Sequence, residues 1–415
     1  MPLSTTSFKT RRGLLLNDLP TSPAERTLEK RRIRKHQVLD CIRRHGPVAR
    51  TEIARILSFN LPSVSNLVDE LVNDGLAVED EAKKTPLGRR PIPVSLNNNA
   101  ACVMGIDVGK SFTIGLLMNL GGTILGRQES STPQGMSQDE QGEWVARFAR
   151  ELLESQSDTI PPLAGVGIGL PGVLHRPDRV NSLLAPEAEA VRSRVEEVVG
   201  VPVLVENDAR MMAHGVLWFK RSQEWKTFAV LNLGVGLGMG MVIDRDVFTG
   251  AAGNAGEIGH LPLGEQGLPC YCGAEGCLEN IASGIGLERM AREAGLKLDG
   301  QVPDARELAV MAREGNEEAL KIWARFSEGL ARGIGVIISL FNPQAVIITG
   351  RIGQSADLYL EQVKAQLPRF SLAPMAVDTQ LLVSELRENA GPLGTCACVM
   401  HHIFSASHIP IESIV

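Results

Sequence analysis

Apolar residues recur at helical spacing in three segments of the first hundred residues, and glycine or polar residues separate these segments. The first predicted helix runs from about Leu28 to Gly46, which ends it. Thr51 is placed to cap a second, short helix, and a third begins near Leu61–Pro62 and ends at Gly75. Two short helices at a tight turn, followed by a predicted β-hairpin, indicate a winged helix-turn-helix.

From residue 100 onward, strand patterns alternate with amphipathic helices, and one pattern occurs twice. Residues 101–126 and 227–243 both have the pattern of strand, Gly-rich turn and strand. This duplication predicts two similar α/β lobes with a cleft between them. The predicted fold class is therefore α/β, with a two-lobed body over residues 100–415 and an α+β winged helix-turn-helix over residues 30–99. Residues 1–29 are predicted to form a flexible arm.

The net charge of −6 conceals an asymmetry between the two ends of the chain. Residues 1–99 carry 17 Lys and Arg against 11 Asp and Glu, whereas the remaining residues carry 25 against 37. A basic front on an acidic body indicates that only the front meets a polyanion such as DNA. No apolar run is long enough for a membrane span, and no signal peptide is predicted.

Polar residues at the start of the third predicted helix are the candidate DNA contacts, because this part of a helix-turn-helix reaches base edges in the major groove. Short hydroxyl and amide side chains suit phosphate or base contacts: Ser63, Ser65 and Asn66. The predicted hairpin tip adds four cations that would reach phosphates or a minor groove: Lys83, Lys84, Arg89 and Arg90. The alternative, a helical pair used only for protein contacts, is disfavoured by the charge asymmetry.

One imidazole and three thiols fall close together in the second half of the chain: His260, Cys270, Cys272 and Cys277. This donor set and spacing match a closed tetrahedral zinc site, whereas the alternative is a flexible loop with scattered cysteines. A Gly-rich loop of this size has little apolar surface to bury, so a bound metal would hold its shape. Reduced thiols beside a metal also suit a cytoplasmic protein. Glu257 and Glu279 bracket the ligands and would line a polar pocket for a hydroxyl-rich ligand.

Asn207 and Asp208 lie at the carboxyl end of a predicted strand, where ligands bind in α/β folds. A carboxylate there can take a proton from a ligand hydroxyl as a general base, or accept a hydrogen bond from it. The alternative is structural, with Asp208 as the N-cap of the helix that follows. Capping by Asp208 does not exclude ligand binding.

The residues around the predicted metal site form the pattern Glu-x-Gly-His, nine residues, then Cys-x-Cys-Gly-x-x-Gly-Cys-x-Glu. It is matched without a break by Glu257, Gly259, His260, Cys270, Cys272, Gly273, Gly276, Cys277 and Glu279. This pattern resembles the motif of the ROK family (repressors, open reading frames, kinases), whose members bind or phosphorylate sugars. The N-terminal region also resembles the DNA-binding domain of the family's repressors, including Gly-Arg-x-Pro at the wing.

The resemblance implies an actin/hexokinase-type ATPase-like body with a sugar site. The implied sugar contacts are Asn207, Asp208, Glu257, His260 and Glu279, with His260 binding sugar and metal through different nitrogens. In the family's kinases the residue that matches Asp208 is the catalytic base. An effector sugar or sugar phosphate, Zn²⁺ and an operator DNA are the implied partners.

Three departures from the kinase pattern all fall on nucleotide-facing motifs. Lys110 stands where the kinases usually carry the second Gly of Asp-x-Gly-Gly-Thr, Val235 replaces a Thr, and Thr349-Gly350-Arg351 replaces a Gly-Gly. Two hypotheses follow: a sugar-responsive repressor without catalytic residues, or an ATP-dependent sugar kinase fused to a DNA-binding domain. The one-sided loss of nucleotide motifs favours the repressor. Two recognition helices that read a palindromic operator need two-fold symmetry, so a homodimer is predicted, with a tetramer as the alternative.

Overall fold

The computed structural model of the chain describes residues 23–80, 84–85, 88–89, 92–156, 160–172, 174–177, 182–184, 186–219, 225–386 and 389–405. The first 22 residues of the predicted arm and the predicted wing residues Lys83 and Arg90 lie outside these ranges. Residues 23–29, which were also predicted to belong to the arm, form the start of the first helix instead. No helix within the described ranges is both long and apolar enough to cross a membrane.

The N-terminal region forms three helices and a small antiparallel sheet. The helices are α1 (Pro23–His45), α2 (Arg50–Leu57) and α3 (Leu61–Asn73). The strands are β1 (Val48–Ala49), β2 (Ala77–Glu79), β3 (Lys84–Thr85), β4 (Gly88–Arg89) and β5 (Pro93–Leu96). One sheet has the order β1-β5-β2, and β3 pairs with β4 in a separate hairpin at the position expected of the wing. This region is called the reading head below.

The turn between α2 and α3 is built by local backbone chemistry. Ser58 adopts φ 55° and ends α2, and the side chain of Asn60 caps α3 by accepting a hydrogen bond from the Ser63 amide at 2.9 Å. The prediction that Thr51 caps α2 is wrong. The helix begins at Arg50 with Ala49 at the N-cap position and no side-chain cap, so that Thr51 lies inside the first turn.

The first lobe of the body is a five-stranded sheet with the order β12-β9-β6-β7-β8. Its strands are β6 (Cys102–Val108), β7 (Phe112–Asn119), β8 (Ile124–Ser131), β9 (Leu163–Leu170) and β12 (Val203–Asn207). A separate hairpin is formed by β10 (His175–Pro177) and β11 (Ser182–Leu184). One face of the sheet packs on α4 (Gln138–Glu154) and α5 (Pro186–Val199), which bury Phe148 and Val191 against it.

The second lobe repeats this topology, with the strand order β15-β14-β13-β16-β17. Its strands are β13 (Phe228–Leu233), β14 (Leu237–Ile243), β15 (Asp246–Phe248), β16 (Ala345–Thr349) and β17 (Gln380–Val383). Its helices are α7 (Gly284–Glu293), α8 (Ala305–Arg313), α9 (Glu317–Phe341), α10 (Leu360–Gln366) and α11 (Ala373–Asp378). In both sheets the third, second, first, fourth and fifth strands in chain order lie side by side. The prediction of two similar lobes is confirmed.

Two helices, α6 (Asp208–Phe219) and α12 (Ala390–Phe404), lie between the two sheets. Glycines allow the close approach: a Cβ on Gly240 of β14 would lie 2.5 Å from the Ala209 carbonyl oxygen, and one on Gly167 of β9 would lie 2.3 Å from that of Thr395. The helices also touch each other, since a Cβ on Gly215 would be 3.0 Å from the Cα of Gly394. The two lobes are thus joined through this helix pair.

The reading head packs directly on the body rather than standing apart from it. Val38 and Ile42 of α1 belong to the same buried cluster as Met400 and Ile403 of α12. The buried His36 ring contributes a polar contact, with Nδ1 2.8 Å from the Ile403 carbonyl oxygen. The C-terminal end of α12 is therefore part of the hydrophobic core of the head.

Candidate metal centre and ligand cleft

The four predicted metal ligands converge in space. The ligand atoms of His260, Cys270, Cys272 and Cys277 all lie within 4.8 Å of one another. Two backbone hydrogen bonds close the loop around them, from Gly264 N to the Gly276 carbonyl at 2.8 Å and from Cys270 N to that of Ala274 at 2.8 Å.

The distances within this cluster fit a tetrahedral metal site. The sulfurs of Cys272 and Cys277 are 3.7 Å apart, and the Cys270 sulfur is 3.6 Å from His260 Nδ1. Zn–S bonds of about 2.3 Å and Zn–N bonds of about 2.0 Å at tetrahedral angles would separate such pairs by about 3.8 and 3.5 Å. Three thiolates and one imidazole are also a donor set that zinc prefers. The residues present therefore fit a zinc site.

The His260 ring faces two ways. Nδ1 points toward the Cys270 sulfur, whereas Nε2 lies 3.3 Å from the hydroxyl of Tyr271. The two rings meet edge to face, with centroids 5.3 Å apart. One nitrogen is therefore available to a metal, whereas the other contacts a polar group that is not a metal ligand.

The two glutamates that bracket the loop differ in environment. Glu279 is buried, and its carboxylate accepts a hydrogen bond from the Leu237 amide at 2.9 Å, beside the Gly-rich turn before β14. Glu257 is half-buried, and burial raises its pKa against the opposing effects of Arg210 and His260. A Cβ on Gly236 would lie 2.4 Å from a Glu279 carboxylate oxygen, and one on Gly238 would lie 3.9 Å from Asp208 Oδ1, so both of these carboxylates lie beside the start of β14.

Asp208 lies where β12 gives way to α6. Its carboxylate accepts hydrogen bonds from the Ala209 amide at 2.8 Å and from the Asn232 side chain at 3.0 Å. Burial raises the pKa of Asp208 to about 6, and Glu257 contributes in the same direction. The carboxylate can still accept a hydrogen bond from a ligand hydroxyl, because its contacts with Ala209 and Asn232 leave other lone pairs of its oxygens free.

Asn207, not Asp208, is the side chain that caps α6. Its Oδ1 accepts hydrogen bonds from the amides of Ala209 and Arg210 at 3.0 and 3.2 Å, and its Nδ2 donates to the Gly172 carbonyl at 3.1 Å. The structural alternative considered for Asp208 is thus wrong, because the helix begins at Asp208 and the cap precedes it. Asn207 holds the turn at Gly172 and the start of α6 together.

Asp107, at the end of β6, is a second acidic group in the cleft. Burial raises its pKa to about 7, and Asp208 adds to this, whereas Arg351 acts in the opposite direction. The N-terminal turn of α12 comes close to this carboxylate, since a Cβ on Gly391 would lie 1.9 Å from Asp107 Oδ2. Any residue other than glycine at position 391 would displace Asp107 or the helix.

Three residues of the cleft were not among the site residues predicted from the sequence. Arg210 is buried, pairs with Glu206 at 2.7 Å and donates to the Ala255 carbonyl at 2.7 Å, so it fixes the backbone that leads to Glu257. Asn232 holds Asp208, and Tyr271 covers His260. A cation near the start of α6 was a usable signal for Arg210. Asn232 lies in a predicted strand and Tyr271 lies between two predicted metal ligands, but nothing in either residue type indicated its contact.

The residues that depart from the kinase pattern make contacts between the lobes. The Lys110 ammonium lies over the Tyr271 ring at 5.4 Å from its centroid, and the Arg351 guanidinium lies over the Phe112 ring at 4.8 Å. In each pair one residue belongs to the first lobe and the other to the second, with Lys110 in the turn between β6 and β7 and Phe112 at the start of β7. Val235 exposes 44% of its surface at the second Gly-rich turn.

In the reading head, the candidate DNA contacts lie on the first turns of α3. Asn66 is exposed, and Ser63 and Ser65 are half-buried. Arg50 donates to the Ser65 carbonyl at 3.1 Å, which fixes α3 against the start of α2. Lys84 and Arg89 face each other in the register of the β3–β4 hairpin.

Comparison with known proteins agrees with this architecture. The architecture is a two-lobed α/β body with one His and three Cys in a single loop, preceded by a helix-turn-helix region. The chain belongs to the ROK family, whose sequence profile matches residues 103–402. It is 30% identical over 396 residues to a xylose repressor of Caldicellulosiruptor bescii. The aligned region covers 90% of this chain and 97% of that protein.

Similar solved structures fall into two kinds, those that match nearly the whole chain and those that match about as much of it as the body alone. A ROK family transcriptional regulator, a homologue of the E. coli MLC protein, covers 93% of this chain and 99% of its own with a TM-score of 0.80 and 23% identity, which supports the fold. A ROK family glucokinase from Streptomyces griseus, bound to glucose and AMPPNP, covers 72% of this chain and 98% of its own, with a TM-score of 0.61 and 28% identity. Similarity to the repressor thus extends over about 90% of the chain, whereas the glucokinase leaves more than a quarter of it unmatched. The chain belongs to the repressor branch of the family.

Proposed function

We propose that this chain is a cytoplasmic, sugar-responsive transcriptional repressor, whose body binds an effector sugar and thereby changes the affinity of the reading head for an operator. The observation that carries the proposal is the placement of α6. This helix begins at Asp208 in the cleft, and its last turn, with Trp218, packs on the reading head. At 1.5 Å per residue, its 12 residues span about 18 Å.

The effector would bind where Asp208, Glu257, His260 and Glu279 face one another. Carboxylates accept hydrogen bonds from sugar hydroxyls, and His260 Nε2 adds a group that can donate or accept. Asn207 supports the same corner by holding the turn at Gly172. Asp208 serves here as a hydrogen-bond partner of the sugar rather than as a catalytic base.

Zinc is the metal that the loop would hold, through His260 Nδ1 and the sulfurs of Cys270, Cys272 and Cys277. The ion would supply rigidity, because the loop has few apolar side chains with which to fix itself. With Nδ1 on the metal, the His260 ring is oriented so that Nε2 faces the cleft. The sugar site and the metal site would then depend on each other without sharing an atom.

Sugar binding would be transmitted by the α6–α12 pair. Both helices have their N-terminal ends at the cleft, at Asp208 and at Gly391 beside Asp107, and both C-terminal ends reach the reading head. A change in lobe closure would move these helices as one unit, because Gly215 and Gly394 pack at backbone contact. The reading head, which packs on the C-terminal ends of both helices, would move with them.

The head would read DNA through the start of α3, with Ser63, Ser65 and Asn66 at base edges or phosphates. The wing cations Lys83, Lys84, Arg89 and Arg90 would reach the phosphate backbone. A homodimer would place two such heads on a palindromic operator, so a change in their spacing would alter operator affinity.

The retained Asp208 is the one observation that favours a sugar kinase instead. Against this, Lys110 and Arg351 lie across the part of the cleft that faces nucleotide in the family's kinases, each over an aromatic ring of the other lobe. Val235 also lacks the hydroxyl that could donate to a phosphate. The cleft is therefore suited to a sugar without a nucleotide.

Calorimetry with D-xylose, D-glucose, N-acetylglucosamine and their phosphates tests the effector, with ATP as a separate titrant. The operator is a duplex selected from random sequence by the purified full-length chain. We expect one sugar to bind, ATP not to bind, and the sugar to change operator affinity by about 5- to 150-fold. Unchanged operator affinity at saturation with every sugar that binds, or phosphate transfer to a sugar at about 1 s⁻¹ or faster, would contradict the proposal.

A further inference from the structure

We propose that Tyr271 is a built-in competitor of the effector: its hydroxyl occupies the His260–Glu279 corner of the sugar site and must leave before the sugar binds. This inference rests on the proposed function and deepens it. The Tyr271 hydroxyl lies 3.3 Å from His260 Nε2, the nitrogen that faces away from the cysteines. A phenol hydroxyl and a sugar hydroxyl have the same hydrogen-bonding capacity, so one can replace the other on this nitrogen.

Glu279 provides the second half of the corner. The Glu279 carboxylate lies close enough to the Tyr271 hydroxyl to hydrogen-bond with it, with the phenol O–H as the donor. Glu279 is held in place from behind by the Leu237 amide. The tyrosine hydroxyl therefore lies between the two groups that the sugar would use.

The Tyr271 ring is exposed even though its hydroxyl points inward. The residue retains 69% of its accessible surface, so little apolar burial holds it where it is. What holds it is the polar corner at one end and the Lys110 ammonium over the ring at 5.4 Å. A side chain held in this way can be displaced by a ligand that satisfies the same polar groups.

The contact with Lys110 means that displacement of Tyr271 affects both lobes. It belongs to the turn between β6 and β7 in the first lobe, whereas Tyr271 belongs to the metal loop of the second. A sugar that takes the corner expels the tyrosine hydroxyl, and the ring can then no longer remain under Lys110. Occupation of the sugar site is thus coupled to the loss of a contact across the cleft.

The test compares full-length, zinc-loaded chains by calorimetry with D-xylose, D-glucose and N-acetylglucosamine. Tyr271→Phe removes the hydroxyl and keeps the ring, and we expect it to tighten binding of the effector sugar roughly fivefold, the size of one hydrogen bond. Lys110→Ala should tighten it by a smaller factor. In a Tyr271→Ala chain, Lys110→Ala should have no further effect. Zinc content measured for each variant separates loss of the loop from loss of the hydroxyl.

A second measurement follows Tyr271 itself. The chain has two tyrosines, and Tyr359 is fully buried far along the sequence. With ¹³C-labelled tyrosine, sugar should shift the NMR signal of Tyr271, assigned by its loss in Tyr271→Phe, and leave that of Tyr359 in place.

The outcomes separate the two proposals. Weaker or unchanged sugar binding by Tyr271→Phe, or a Tyr271 signal that sugar does not move, overturns the competitor role and leaves the repressor function intact. A wild-type chain that binds none of these sugars overturns the proposed effector function and this inference together.

Discussion

The guanidinium carbon of Arg43 lies 3.9 Å from the centroid of the Trp218 ring, so that the first helix of the reading head rests on the last turn of α6. Phe404, in the last turn of α12, completes the contact, with its ring 5.7 Å from that of Trp218 and 5.3 Å from the Arg43 guanidinium. Asp40 fixes the guanidinium from the other side at 2.7 Å. The ends of both interlobe helices therefore meet one cation of the head.

Removal of the Trp218 ring should uncouple the sugar from the DNA. A cation–π contact of this kind is worth about 0.5–2 kcal/mol, which is a sizeable part of a typical allosteric coupling of about 1–3 kcal/mol. We expect Trp218→Leu to bind the sugar normally and to lose at least about half of the sugar-dependent change in operator free energy. Fluorescence anisotropy of a labelled operator duplex, with and without sugar, measures this change.

Trp144→Leu is the matched control for this variant. Trp144 is also half-buried and also pairs with a phenylalanine, Phe148, at 5.7 Å, but it lies on α4, on the opposite face of the first sheet from α12. Its substitution should leave the sugar response unchanged. If Trp218→Leu kept the full sugar response, transmission through the end of α6 would be wrong.

The sequence was sufficient to predict those features of the protein that depend on residues close together along the chain. Helical spacing placed α3 and its start at Leu61, and the repeated strand–turn–strand pattern predicted two lobes. His260 and the three cysteines were found because metal ligands must be of few chemical types at close spacing. In each case the physical cause lies within a few dozen residues.

Contacts between distant segments could not be found in this way. Tyr271 is chemically ordinary in a loop, and only the fold shows that Lys110, from the other lobe, lies over its ring. Whether Asn207 or Asp208 caps α6 depends on the exact residue at which β12 ends and α6 begins. The pattern of apolar residues does not define such a boundary to within one residue. Likewise, no pattern in α6 indicates that Trp218 meets Arg43.

Loss of a cysteine ligand should remove the metal and the sugar affinity together. We expect Cys270→Ser to reduce bound zinc from about one ion per chain to a small fraction, because three remaining ligands hold the ion poorly, and to weaken sugar binding because His260 is no longer oriented. Elemental analysis and calorimetry on the same preparation measure both. Cys41→Ala, in the buried core of the reading head, should retain the zinc. Sugar binding of wild-type strength in a metal-free Cys270→Ser chain would refute the scaffold role.

Asn66 and Arg89 should affect DNA binding in different ways. Asn66 is exposed on the early turns of α3, where an amide can read a base, so Asn66→Ala should reduce discrimination between operator and mutated operators by about 1–3 kcal/mol. Arg89→Ala should weaken binding to every duplex alike and lower the slope of log affinity against log salt by about 1. Salt titrations with operator and random duplexes separate the two. A uniform loss in Asn66→Ala would show that its contact is to the backbone.

The pair formed by Asp107 and Asp208 makes the stability of the protein depend on pH. Burial raises the pKa of Asp107 to about 7, with the charge of Asp208 adding to the shift, and burial raises that of Asp208 to about 6, with the charge of Glu257 adding to the shift. Both values lie above the value of about 3.9 in an unfolded chain. Between about pH 4 and pH 7 the folded protein therefore holds more protons than the unfolded one. These groups thus favour folding least at high pH, and stability should fall as the pH rises through this range.

Asp107→Asn removes the ionisable group with the larger shift and should raise the melting temperature, more at pH 8 than at pH 5.5. At pH 8 the native Asp107 is charged in the cleft and penalises folding, whereas at pH 5.5 it is already protonated and the substitution changes less. Scanning calorimetry at the two pH values measures the difference. Asp244→Asn, on an exposed turn where φ is 51° and asparagine is tolerated, should change the melting temperature little at either pH. An equal gain at both pH values in Asp107→Asn would show that removing a steric or hydrogen-bonding constraint, rather than a buried charge, stabilises the variant.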